Sequence, residues 1–470
     1  MKNVQNSTQQ NGASRKGALK GNLWIKNPLA VWTANDHNAD GGLVICNDRI
    51  VELVPAGRTP TLKIDSTMDA SGCVVIPGLI NCHHHFYQTL TRAFPTALNK
   101  ELFDWLVSLY PVWANLTEQA ISVSSELALT ELLLSGCTTA ADHHYVFSDK
   151  TQYAIDRQVE AANKVGIRAL LTRGSMSLGK DQGGLPPNEV VQSAELILQD
   201  SQRLIDSYHQ RDAGAMVQIA LAPCSPFSVT TELMIESAKL ARANKVQLHT
   251  HLAETEDENA FCIEMFGLRP LDYLESVNWL SDDVWLAHGI HFNDAEIKRL
   301  GAAKTAISHC PSSNMVLASG LCPAKDLRQA GSPVGLGVDG SASNDCSNMM
   351  QEVRQAFMLQ RLKYGSSEIT HTDALHLGTK GGAALMRRTD IGELAVGKQA
   401  DIAMFNLDEP RFAGSGDPVA ALVLCGAHKA EHVMVNGQWK VSNGDLVNGD
   451  INQLMAKQKT VATDLATRSL

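Results

Sequence analysis

Eight short runs of apolar and β-branched residues mark the middle of this chain, most of them separated by stretches with helical periodicity. They are "VVIPGLINCHHH", "CTTAADHHYV", "IRALLTRGSM", "VQIALAPCSP", "VQLHTHLAET", "VWLAHGIHF", "TAISHCPSSN" and "VGLGVDGSASND". Between the first two, "TEQAISVSSELALTELLLSG" repeats apolar residues at helical spacing and meets a stop signal at Gly136. Eight strands alternating with helices predict an α/β fold, a (β/α)8 TIM barrel. A doubly wound sheet would need a glycine-rich phosphate loop after an early strand, and the sequence has none.

The two ends follow a different pattern. Residues 22–75 alternate β-like runs with turns, and the far end repeats this in "GKQADIAMFNLD" and "AEHVMVNGQWKVSNG". Asn436-Gly437, set between alternating apolar residues, predicts a hairpin. The expected organisation is a disordered tail over 1–20, a small β-sandwich built from 21–74 and 396–450, a barrel over 75–395 and a helical segment over 451–470.

Composition narrows the function classes. A chain of 470 residues exceeds the roughly 250–300 at which single cores stop growing, in keeping with one large and one small domain. The net charge of −10 argues against binding nucleic acid through a basic surface, so a small-molecule partner is expected. The first 20 residues lack the apolar core of a signal peptide, and no run reaches the ~20 apolar residues of a membrane span. Ten scattered cysteines without a CxxC pair read as reduced thiols of a cytoplasmic protein. A homo-oligomer stays open.

Ionisable residues gather at the ends of the eight runs, and in a barrel those ends share one mouth. Residues two apart on a strand share a face, so His83 and His85 point inward together while His84 points toward the surrounding helices. The fifth run offers a second such pair, His249 and His251, with Glu254 just beyond. The eighth run offers Asp339, the sixth His288 and the seventh His309. Three histidines, a carboxylate and a water suit Zn²⁺ or Fe²⁺. The fourth run carries no lysine that could be carboxylated to bridge two ions, which favours a single divalent metal ion.

Such an ion lowers the pKa of its water to about 7. Asp339 is placed to accept a proton from that water, and His288 to orient it or shuttle protons. Glu254 could protonate a ring nitrogen as a tetrahedral intermediate forms, the role of the non-ligand glutamate in zinc deaminases. His249 is expected to line the barrel or support a ligand. Either His143 or His144 could reach the mouth, with packing an equal alternative. "GELAVGKQ" matches a phosphate loop except at its final Ser/Thr position, and reads as a turn before a strand.

Together these motifs resemble the amidohydrolase superfamily in its single-metal aminohydrolase branch. The resemblance rests on "PGLINCHHH", "HTHLAET", "WLAHG", "SHCPSSN", "GLGVDGSASND" and "GELAVGKQADI", in order along nearly the whole chain after the tail. It implies a metal held by His83, His85, His251 and Asp339, with Glu254, His288 and Asp339 catalytic. It also implies deamination of purines, pyrimidines, pterins or triazines. Three further stretches, "HHHFYQTLTRAFP", "TRGSMSLGKDQGGLPP" and "DEPRFAGSGDPVAALVLCGAH", resemble the members that convert 8-oxoguanine to uric acid and ammonia. Hydroxytriazine and isoxanthopterin aminohydrolases and triazine chlorohydrolases are the alternatives. Gln88 and Arg173 are expected to hydrogen-bond carbonyl groups of the substrate. For Arg92 a structural ion pair is an equal alternative to a substrate contact. Trp105, Trp113 and Tyr145 could stack on a planar ring or simply pack.

Overall fold

The computed structural model describes residues 21–468, so the expected tail over 1–20 lies outside the described residues. Each of the eight apolar runs supplies one barrel strand: β1 (Leu79–Asn81), β2 (Cys137–His144), β3 (Arg168–Ser175), β4 (Val217–Pro223), β5 (Leu248–Leu252), β6 (Val284–His288), β7 (Ala306–His309) and β8 (Val334–Leu336). All neighbours pair in parallel, and β8 closes on β1. The closure makes a (β/α)8 barrel.

The helix after β1 shows how local signals bound these elements. It runs from Glu118 to Leu134, begins where the Thr117 hydroxyl accepts the Ala120 N–H, and ends at Gly136 with φ +92°. A Cβ at Gly136 would also lie 2.7 Å from the Phe405 ring, so the stop residue has to be glycine on two counts.

Alternation sorts each strand into an inner and an outer face. Ile80, Ala141, Leu170, Ala220, Trp285 and Ala306 form the barrel's interior cluster. Leu79, Ala140, Leu171, Ile219 and Leu286 turn outward into the much larger core shared with the helices.

The two ends of the chain build a pair of sheets. One holds Asn22–Lys26, Gly42–Cys46, Arg49–Val54 and Ser66–Asp69; the other holds Ala30–Val31, Cys73–Pro77, Ile402–Asn406, His432–Val435, Gln438–Ser442 and Asp445–Leu446. Leu23, Ile25 and Leu43 of the first pack with Val75, Ile402 and Met434 of the second in one buried cluster, making a sandwich. Asn436 and Gly437 both have positive φ, +51° and +72°, as a two-residue hairpin turn requires.

The first apolar run splits at Pro77-Gly78. Its first half pairs with Ile402–Asn406 in the sandwich and its second half opens the barrel. The boundary expected at 74/75 therefore falls inside a strand. "GELAVGKQ" forms turns ahead of the strand Ile402–Asn406. Among the described residues no helix is long and apolar enough to cross a membrane.

Candidate active site

The C-terminal ends of β1, β5, β6 and β8 bring His83, His85, His251, Glu254, His288 and Asp339 into one buried cluster. Past the end of β1 the alternation slips by one residue: Ile80 and Cys82 face the interior, and the next inward side chains are His83 and His85. His83 and His85 lie inward with Nε2 atoms 3.2 and 3.3 Å from Asp339 Oδ1. His84 lies outward, its Nε2 3.0 Å from Ser347 Oγ and its Nδ1 accepting the His85 N–H.

Hydrogen bonds fix the tautomers. A carbonyl can only accept, so His85 Nδ1 must donate to His143 O (2.6 Å), and His251 Nδ1 to Cys224 O (2.7 Å). His249 Nδ1 donates to Trp285 O at 2.8 Å in the same way. Burial holds His83, His249 and His251 well below the usual histidine pKa, so all three are neutral. A neutral His249 has a bare Nε2, and that atom accepts the Nδ1 proton of His83 at 2.8 Å.

The consequence is that His83, His85 and His251 each present an Nε2 lone pair to one another and to the Asp339 carboxylate. His85 Nε2 and His251 Nε2 are 3.3 Å apart, and His83 Nε2 has no hydrogen-bond partner. Lone pairs and an anion so placed repel unless a cation lies among them. The donor set therefore fits a divalent metal ion, each imidazole oriented by an acceptor behind it.

The remaining groups can move protons. His288 Nε2 is 3.4 Å from Glu254 Oε2 and 3.9 Å from Asp339 Oδ2, and its Nδ1 is held by Asn314 Oδ1 at 3.0 Å. Asp339 Oδ2 accepts from Ser313 Oγ (2.6 Å), and Oδ1 accepts from the Gly340 N–H (2.7 Å). Burial, reinforced by the negative charges of Asp339 and Glu258, pushes Glu254 well above the usual carboxylate range. Ala253, His288 and Asp339 all adopt positive φ (+54°, +72° and +64°), strained backbone at the mouth.

A narrow cavity opens onto these groups. Gln88 lines it. Its Oε1 accepts the Ala342 N–H at 3.4 Å, and its buried Nε2 is left without a partner. A Cβ at Gly340 would lie 1.8 Å from Gln88 Oε1, so only glycine lets the carboxamide sit against this turn. Trp105 and Tyr145 also line the cavity, while Trp113 packs behind it with its indole N–H on Thr91 Oγ1.

Arg173 is a correction. It has the outward parity of Leu171 on β3, so its guanidinium meets Asp200 Oδ2 (2.6 Å), Gln192 Oε1 (2.9 Å) and the face of Phe147, away from the cavity. His144 faces outward likewise, against Phe147 and Tyr87. His143 points inward, stacks on His251 and donates from Nε2 to Ala222 O at 2.9 Å. Arg92 pairs with Glu131 and bonds Ser341 Oγ, the structural alternative. His309 is buried, and neither ring nitrogen has a hydrogen-bond partner among the described residues.

Ser313, Asn314 and Glu258 escaped the sequence reading. The first two lie in "SHCPSSN", where Pro311 starts a helix directly after β7 and aims them into the mouth. Glu258 accepts the N–H groups of Ala253 and Glu254, pinning the loop that carries Glu254. Their only signal was proximity to a motif.

Residues 74–440 match the model of the Amidohydrolase family. The chain is 59% identical to 8-oxoguanine deaminase of Pseudomonas aeruginosa, over 94% of this chain and 98% of that protein. It is 36% identical to hydroxydechloroatrazine ethylaminohydrolase of a Pseudomonas species, over 82% of each. The crystal structure of atrazine chlorohydrolase from Arthrobacter aurescens complexed with zinc superposes with a TM-score of 0.87 at 31% identity, covering 94% of this chain and 100% of that one.

Proposed function

We propose that this chain, which belongs to the amidohydrolase family, is a metal-dependent aminohydrolase that hydrolyses 8-oxoguanine to uric acid and ammonia. One observation carries the chemistry: three oriented imidazole lone pairs and a carboxylate converge beside a buried glutamic acid, at the edge of a cavity walled by Gln88, Trp105 and Tyr145. The 59% identity to an 8-oxoguanine deaminase favours the oxopurine over the triazine and pterin alternatives.

In this reading His83, His85, His251 and Asp339 hold one divalent ion. Zinc is favoured by the zinc complex of a similar structure, and the absence of a lysine on β4 favours a single ion. Bound there, the ion supplies a water whose pKa is lowered toward about 7. Asp339 Oδ2, steadied by Ser313, accepts a proton as the water attacks C2, and His288 is close enough to both carboxylates to relay it. Glu254 would enter protonated and give its proton to the adjacent ring nitrogen as C2 becomes tetrahedral. On collapse the C2–N bond breaks, the proton taken up by Asp339 leaves with the amino group as ammonia, and the C2 hydroxyl proton returns to Glu254 as the carbonyl forms. Gln88 Nε2, a donor without a partner, hydrogen-bonds a ring carbonyl. Ten free cysteines support a reducing, cytoplasmic setting.

Ammonia release from 8-oxoguanine, a hydroxytriazine and isoxanthopterin tests the reading. Preferred turnover of 8-oxoguanine with urate as product is expected. Turnover of only a triazine or pterin would move the substrate, and release from none of the three would overturn the deaminase assignment.

A further inference from the structure

The cavity is roofed by one helix, Leu102–Trp113, and that helix carries a polar atom the chemistry above does not use. Leu102, Trp105, Leu106 and Tyr110 fall at spacings of three, one and four, so they share a face, and all four line the cavity. Leu102 and Leu106 have no polar atoms, and the Trp105 indole N–H is committed to Ala342 O at 3.1 Å. Tyr110 is different. It is 1% exposed, and its hydroxyl has no hydrogen-bond partner among the described residues.

A buried hydroxyl without a partner lowers stability relative to the same ring without it. Phenylalanine at this position would fill the same space without that cost. Another open polar atom on the cavity wall is Gln88 Nε2, which can only donate. Glu254, His288 and Asp339 already face the carbon that carries the amino group. A 2-amino-oxopurine has further carbonyl and ring N–H groups around its rim, and these are the groups a lone hydroxyl on the roof can satisfy.

We infer that the Tyr110 hydroxyl is a specificity-determining contact, one that hydrogen-bonds the polar rim of the heterocycle away from its amino-bearing carbon. The inference rests on the aminohydrolase reading and adds a residue to it.

The test compares metal-loaded wild type with Tyr110→Phe, measuring kcat/KM for 8-oxoguanine, inhibition by urate and thermal melting. The variant is expected to lose about ten- to hundred-fold in kcat/KM, the size of a lost hydrogen bond plus an unpaired substrate group. The inhibition constant for urate should rise with it, while the melting temperature stays level or increases. A loss of less than tenfold, or one accompanied by a lower melting temperature, overturns the inference and leaves the deaminase reading standing. If wild type releases no ammonia from 8-oxoguanine, both fall.

Discussion

His249 Nε2 accepts the Nδ1 proton of His83 across 2.8 Å, and His249 passes its own Nδ1 proton to Trp285 O across another 2.8 Å. His85 and His251 are instead oriented by backbone carbonyls, which side-chain substitution leaves in place. His83 is therefore the one of the three proposed histidine ligands whose orientation can be altered by replacing the side chain its Nδ1 bonds. His249→Phe should lower zinc affinity about 10- to 100-fold, the usual effect of removing a group that orients a ligand. His249→Gln, whose carbonyl can still accept, should recover part of it. Competition with a chromogenic chelator reads both, and equal affinity in wild type and His249→Phe would refute the role.

The histidine triplet offers a second test. His84 bonds Ser347 on the helix side, whereas His83 and His85 face Asp339. His84→Ala should keep stoichiometric metal by atomic absorption, and His83→Ala and His85→Ala should lose most of theirs. Equal loss in all three would break the argument from strand faces.

Glu254 is assigned proton transfer without metal binding. Glu254→Gln should reduce kcat by about 10²- to 10⁴-fold, the range of general acid–base catalysis, while metal content holds. Unchanged kcat would remove Glu254 from the mechanism. Metal loss would recast it as a ligand.

Parity along strands made much of this site legible. Once eight runs were read as eight parallel strands, the shared mouth of the barrel brought His83, His85, His251, His288 and Asp339 together from four sequence regions. The same rule, applied to β3, would have turned Arg173 away. Leu170 faces the interior and Leu171 the helices, so an arginine two positions after Leu171 belongs with the helices. Arg173 was placed by its position at a strand end rather than by its face. Ser313, Asn314 and Glu258 were beyond such reasoning, because helix-initiating loops have no fixed period and their side chains aim wherever the first turn points. The division at Pro77-Gly78 was hidden for a related reason: a continuous apolar run does not reveal that two different sheets share it.

Gln88 and Arg173 now separate cleanly. Gln88→Ala removes an unpaired donor from the cavity wall and should lower kcat/KM about tenfold or more with little effect on folding. Arg173→Met breaks a buried ion pair with Asp200 and should instead cost about 3 kcal/mol of stability by urea unfolding, with KM little changed. Reversal of the two phenotypes would restore Arg173 to the substrate.

Acid stability should depend on Asp390. Its carboxylate accepts from Arg388 Nε and Nη2, each at 2.7 Å, and from the Gly214 N–H at 2.7 Å, tying the segment before the sandwich to the base of β4. Burial alone would raise its pKa, but the Arg388 guanidinium and the Gly214 N–H outweigh burial and hold it below the ordinary aspartate value. A carboxyl whose pKa is depressed on folding binds protons more readily in the unfolded chain. Its stabilisation is thus fully present above the unfolded pKa of about 4 and drains away as pH falls below it. Asp390→Asn should cost about 2 kcal/mol near pH 7 and progressively less as pH falls below about 4, where the carboxyl of the unfolded chain takes up protons while the folded one stays charged. Urea midpoints of the two proteins across that interval should converge. A constant gap would mean that Asp390 acts through shape and not charge.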